Sequence, residues 1–430
     1  MKTGVAGTLF AVLMNIGLPA VVRPAIVLVP DEQPTILAGI AAAQPSDTVL
    51  IRAGTYFEHD IELRDGITVM GEVRGELAVT IDAMGLGRVM YADNPTEMPM
   101  HACVQGIIFS NGAANEGGGI CATGSDVGFD LDITDCAFKA NGATRGGGIH
   151  IDASSANLRE CRFSENKAQN GGGIAGSGWN WDHSISVISC EFVDNYAEQA
   201  GGAIAISMAN LDLTDCAFRD NRAQSGGAVY SSNYNGRVCC MLRCSFDRNR
   251  AALGGALHSM EDVLLLADCL FVENAAEQGG AAWIAYPRDA AVRNCTLARN
   301  IAETGSGICL SEQAFLPLEH SILAFGQDGS ALACVNGLVL GPELACCDVF
   351  GNAGGDWVGC IAGQGGNEGN FSADPRFCLD LEPDQPYALQ TNSPCAQANN
   401  PECGQVGAFA VGCGTTAAAA TSFSAIKAMY

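Results

Sequence analysis

The chain has 430 residues, 48% of them hydrophobic and 16% charged, so it can bury a large core and is not a disordered polymer. Asp and Glu number 47 against 22 Lys and Arg, a net charge of −25. Such a surface repels nucleic-acid phosphates and anionic lipids, which excludes both as partners.

In chain order, residues 1–25 read as an export signal. Lys2 supplies the positive start, Val5 to Leu18 an apolar run, and Pro19, Ala20 and Ala25 offer small residues for cleavage. No later stretch reaches the roughly 18 uninterrupted apolar residues that a membrane span needs. Export predicts a secreted or cell-surface bacterial protein, in an oxidising compartment that tolerates 20 cysteines. Residues 26–105 read as an N-terminal cap and the first coils. Asp31 to Gln44 forms a short helix with Ile36 and Ile40 on one face. Asp47 to Ile51 is a strand, Ala53 to Tyr56 a turn, and Glu62 to Thr80 holds two more strands.

Residues 106–352 repeat themselves. The pattern Cys-x-Phe-x-x-Asn-x-Ala runs through Cys136-Phe138-Asn141, Cys161-Phe163-Asn166, Cys190-Phe192-Asn195, Cys216-Phe218-Asn221, Cys244-Phe246-Asn249 and Cys269-Phe271-Asn274. Weaker copies stand at Cys295-Leu297-Asn300, His320-Ile322 and Cys347-Val349-Asn352, with Ile108-Asn111 as an earlier member. A glycine pair and an aliphatic residue follow most Asn residues, as at Gly146 to Ile149 and Gly226 to Val229. About nine turns of roughly 26 residues result, which suits a solenoid. Cys and Phe two apart, and the alternation Leu211-Asp212-Leu213, are period two and therefore strand. The fold class expected is all-β: a right-handed, single-stranded parallel β-helix with a short N-terminal helical cap, one domain and a monomer. The Asn marks a corner that needs left-handed backbone, and its amides can stack into a ladder. The Cys column reads as a stack of small buried residues rather than a metal stripe, because it lacks the local spacing of zinc ligands.

Residues 353–413 loosen into irregular coils and a cap. Cys378, Cys395, Cys403 and Cys413 stand outside the column and are candidates for disulfides of open connectivity. Residues 414–430 read as a flexible tail.

The Phe-x-x-Asn and Gly-Gly-Ala-Ile units, as at Phe192 to Asn195 and Gly201 to Ile204, resemble the repeats of chlamydial polymorphic outer-membrane proteins. That resemblance covers Gly106 to Ile308 and implies a surface adhesin, although the C-terminal barrel of those proteins is missing here. The opening segment, Val29 to Tyr56, and the closing one, Asp374 to Gly407, are similar to pectate-lyase-like β-helix proteins. This implies the fold and leaves the activity open.

No catalytic motif of that superfamily stands on the repeats. Acidic residues precede the Cys at Asp135, Glu160, Asp215 and Asp268; they form an outward stripe that calcium could use and that solvation explains without it. The richer stretch joins the Gly-Gly strand to the next Cys strand. It carries Trp179, Trp181, Asp182 and His183, then Tyr234, then Glu261 and Asp262, then Tyr286, Arg288 and Asp289. Equivalent loops of a solenoid stack on one side, so aromatics beside carboxylates there would suit a polysaccharide or a surface receptor. The function expected is structural, adhesive or glycan-binding. The alternative is a polysaccharide lyase or glycoside hydrolase with Asp182 and Glu261, Asp262 or Asp289 as paired carboxylates.

Overall fold

The computed structural model describes residues 24–72, 78–94, 98–124, 128–178, 183–233, 236–311, 314–337, 341–379 and 386–413. The chain winds as a parallel β-solenoid with three long sheets of thirteen, twelve and eleven strands. One turn shows the plan. Ser184–Ile188 lies in the first sheet, Glu191–Val193 in the second, Tyr196–Ala200 in a narrow strip, and Ile204–Ser207 in the third. Each strand pairs in parallel with its equivalent one turn away, as Phe163 with Phe192 and Phe192 with Phe218. No helix among the described residues is long and apolar enough to cross a membrane.

The turns outnumber the sequence repeats because the first coils stack without the motif. Ile26–Val29, Thr48–Ile51 and Thr68–Gly71 already belong to the first sheet. The cap helix is shorter than expected, Ile36–Ala42, and lays Ile36 and Ile40 over the open end. Thr35 caps it, and the Glu58 carboxylate accepts from the Ile36 and Leu37 amides. The expected turn at Ala53 to Tyr56 contains a strand, Gly54–Tyr56, that opens the second sheet.

Each motif residue has a structural task. Seven phenylalanines, from Phe109 to Phe271, stack ring on ring at 4.6–4.8 Å, a spacing that parallel strands impose. Complete burial of one such ring contributes about 1.5–3 kcal/mol. Asn141, Asn166, Asn195, Asn221, Asn249, Asn274 and Asn300 form the amide ladder, each Nδ2 donating to the next Oδ1 at 3.0–3.1 Å. The left-handed residue is the one before each Asn of this ladder, from Ala140 to Arg299, with φ between 52° and 59°. The expectation that Asn itself bends the corner is therefore corrected: the Asn satisfies the backbone groups that the corner leaves unpaired.

The cysteines do the same at the previous corner. The residue before each column Cys, such as Asp135, Glu160 or Asp215, is left-handed. Each thiol donates to the carbonyl two residues back at 3.2–3.5 Å. Ser321 holds the next place in the column and makes the same bond to Glu319 at 2.9 Å. Two register readings move by one residue. Phe109 pairs with Phe138 in place of Ile108, and Leu323 pairs with Leu297 in place of Ile322. A shift of one exchanges the two faces of a strand, so the core decides between them.

The C-terminal coils divide into a plug and a strap. Ile361 sits fully buried against the last turn, and Cys334–Cys360 ties the plug down. Residues 371–379 and 386–413 then run back outside the second sheet, where Phe377, Tyr387, Leu389 and Val406 pack on Val272, Ala298 and Ala324. Cys346–Cys403 and Cys378–Cys413 close the strap, whereas Cys395 keeps its thiol and donates to buried Asp348 at 3.2 Å.

Candidate functional site

Of the corner expected to bind ligand, Trp179, Trp181, Asp182 and Tyr234 lie outside the described residues. Glu261 and Asp262 lie in the turn next to Tyr286, Arg288 and Asp289, whereas His183 lies three turns before Asp262. The Arg288 amide donates to the Asp262 carbonyl at 2.8 Å, and the Arg288 side chain lies over Gly236. Tyr286, Arg288 and Asp289 are exposed, and Glu261 is half-buried on a left-handed corner. Asp262 is turned inward. It is fully buried and accepts from Asn233 at 2.6 Å, Ser259 at 2.6 Å and Ser231 at 3.0 Å. Burial still pushes its carboxyl up to about 6. His183 is buried too, against Gly128. The described part of this corner is thus a polar joint with an exposed rim of Tyr286, Arg288 and Asp289.

A concave site lies one sheet away. After each glycine corner the chain folds back, so the narrow strip stands as a wall beside the outer face of the third sheet. Gly201 makes this corner with φ 61°, and a Cβ there would meet the Ile204 carbonyl at 2.1 Å. The trough so formed is about 650 Å³. Its floor is the first outward column of the third sheet: His150, Ala175, Ala205 and Tyr230, held in register turn by turn. Arg145, Asn170, Gln199 and Gln224 line one side, and Asp152, Ser177 and Ser207 the other. Beyond Tyr230 the same column continues as His258 and Trp283, with ring centroids 4.9 and 4.4 Å apart.

Two imidazoles mark this face. His150 and His258 are 1% and 4% exposed, and neither ring nitrogen of either has a hydrogen-bond partner among the described residues. Buried polar groups are rarely left so. Burial, then the Arg145 charge, lowers the His150 pKa, and burial brings His258 to about 4, so both rings are neutral at pH 7. Arg145 is ion-paired with Glu116, and the Ser177 hydroxyl donates to Asp152. The trough therefore offers neutral donors and acceptors, an aromatic end and little net charge.

The residues of this trough were missed because each looked like an ordinary repeat position. Their signal is nevertheless present. First-sheet strands alternate apolar and polar, as in Leu211-Asp212-Leu213, whereas from Met90 on the first three residues of each third-sheet strand carry no Asp, Glu, Lys or Arg, as in Ile149-His150-Ile151 and Ile204-Ala205-Ile206. An outward column that carries His, Ala, Tyr and Trp is a face kept from bulk solvent.

No protein-family model matches the chain, and no characterised protein matches it by sequence. The likeness of the repeats to polymorphic outer-membrane proteins thus stays one of motif. Among solved structures the chain is similar to a PL6 family alginate lyase, with 13% identity and a TM-score of 0.40 over 90% of this chain and 57% of that one. A mutant of the same lyase gives 12% identity and a TM-score of 0.38 over 93% and 60%. The chain thus spans about 60% of the length of the solved structures it matches.

Proposed function

We infer that this chain is a secreted or surface-exposed glycan-binding protein, and that an uncharged stretch of polysaccharide lies along the trough. The observation that carries the reading is His150, buried in the lining with both ring nitrogens unpartnered. One sugar hydroxyl can donate to the bare nitrogen and a second can accept from the protonated one. The amides of Asn170, Gln199 and Gln224 recur once per turn. The turn spacing of roughly 4.8 Å is close to the rise of one pyranose in an extended chain. A net charge of −25 disfavours a polyanionic glycan. Three disulfides support an oxidising compartment.

One observation favours a catalytic version. A neutral imidazole beside Arg145 could take the proton next to a uronate carboxylate while the guanidinium offsets its charge; the electron pair then forms the C4–C5 double bond as the C4–O glycosidic bond breaks, and the departing sugar oxygen is protonated from the imidazolium or water, which is the β-elimination of a lyase. Glu116 already neutralises Arg145, so binding without cleavage is the better fit. A hydrolase needs two carboxylates, and Asp152 is the single one in the described lining.

Calorimetry against a panel of neutral and acidic oligosaccharides tests both versions. Binding of a neutral oligomer is expected to weaken about tenfold in His150→Ala and in Gln199→Ala, the loss of one good hydrogen bond each. Folded protein that binds no neutral glycan, or variants that bind as well as the parent, would sink the reading. Unsaturated product from an acidic glycan, abolished by His150→Ala, would replace it with the lyase.

A further inference from the structure

The outer face of the first sheet carries a separate cluster of metal-type donors. His101 and Cys103 lie on Met100–Gln105, and Asp132 lies on the adjacent parallel strand Phe129–Thr134. Register sets Cys103 opposite Asp132 and His101 opposite Asp130. Period two turns all four outward, and the core behind them, Ala102, Val104, Leu131 and Ile133, fixes the strands that hold them. The His101 Nε2 is 2.9 Å from the Asp132 Oδ2 and 3.7 Å from the Cys103 Sγ, and the three donor atoms lie within 4.8 Å of one another. Tetrahedral zinc, with bonds of about 2.0 Å to nitrogen or oxygen and 2.3 Å to sulfur, sets its ligands roughly 3.3–3.6 Å apart. The cluster needs shifts of a few tenths of an ångström at its short edge to meet that geometry.

The surroundings orient the donors. The Asn157 amide donates to the Asp132 Oδ1 at 2.9 Å, which leaves Oδ2 for the cluster. The Asp65 carboxylate accepts from the His101 backbone amide at 2.9 Å and adds negative charge. Orienting partners of this kind are what metal ligands require. We propose that His101, Cys103 and Asp132 form a divalent transition-metal site of the zinc class, with three protein ligands and a fourth position open to solvent. Thiolate with imidazole and carboxylate selects zinc or cobalt over calcium or magnesium, which take oxygen alone. On binding, the thiol gives up one proton to solvent. The Nε2 lone pair, with the ring proton on Nδ1, replaces one water of the hydrated ion, and a water remains at the open position.

The molecule contains its own control. Cys240 stands on the same outward column beside Asp212, two strands joined in register, with no histidine at the place of His101. The experiment is titration of the full chain with cobalt(II), then zinc, under anaerobic conditions that keep the thiols reduced. One equivalent of cobalt is expected to give a near-ultraviolet sulfur-to-metal charge-transfer band together with visible d–d bands, both removed by zinc. Cys103→Ser should abolish the charge-transfer band, His101→Ala and Asp132→Asn should weaken binding at least about tenfold, and Cys240→Ser should change nothing. Circular dichroism unchanged across these surface variants separates lost ligation from lost fold. A parent protein that gives no band, or a band that survives in Cys103→Ser, overturns the proposal.

Discussion

Asn221 shows how one side chain serves the solenoid. Its Oδ1 accepts from the Asn195 backbone amide and the Asn195 side chain, and its Nδ2 donates to the Phe192 carbonyl and to Asn249. Asn221→Ala removes these four bonds from a fully buried corner. It should cost about 2–5 kcal/mol, because the stranded backbone groups cannot reach water. The column cysteines predict the reverse. Ser321 already performs the bond of the column with oxygen in place of sulfur. Cys216→Ser should then stay within about 1 kcal/mol of the parent. Denaturation midpoints of the two variants check both statements together, and equal losses would refute the account of the column.

At the scale of the strand and its corner, the second glycine of each pair is required by the turn stacked beside it. A Cβ on Gly202 would meet the Gly227 carbonyl at 2.2 Å and the Arg222 amide at 2.6 Å. Gly142 is different: it has open space, and its equivalents in later turns are Lys167 and Tyr196. Gly202→Ala should lose at least about 2 kcal/mol and open the neighbouring corner to protease, while Gly142→Ala should be neutral or gain up to about 1 kcal/mol. Thermal melting with limited proteolysis decides the matter; a neutral Gly202→Ala would mean that the turns can separate at this corner. These constraints also explain what could be read beforehand. The Cys, Phe, Asn and Gly-Gly columns repeat because every turn must satisfy its neighbour, so period, strand and ladder were legible. The coils before Met100 stack apolar residues with polar contacts that do not recur from turn to turn, such as Arg52 with Asp31 and Glu72, and leave no motif to count. The strap was not legible because its contacts with Val272, Ala298 and Ala324 are distant in sequence and irregular.

For the whole molecule, the site was less legible than the fold because it depends on the angle at which strip and sheet meet, and no local spacing encodes an angle. The inward turn of Asp262 could not be foreseen, since Ser231 and Asn233 reach it from the previous turn. That burial gives the molecule opposing proton linkages. Burial raises Asp262 to about 6 and Asp348 to about 7, both from an ordinary 3.8. Between pH 4 and those values the folded chain keeps protons that the unfolded chain releases, so each carboxyl lowers stability as the pH rises. His258, lowered from 6.5 to about 4, acts the other way: the unfolded chain gains a proton that the folded chain refuses, so stability falls as the pH drops through that window. A tenfold change in proton affinity is worth about 1.4 kcal/mol, so each group contributes at most roughly 3–5 kcal/mol. Relative to the parent, Asp262→Asn should therefore gain stability as the pH rises from 4 to 6, while His258→Phe should gain it as the pH falls from 6.5 to 4. Melting temperatures across this range measure the two differences directly. A difference that stays flat with pH for either variant would show that its group is open to water in solution.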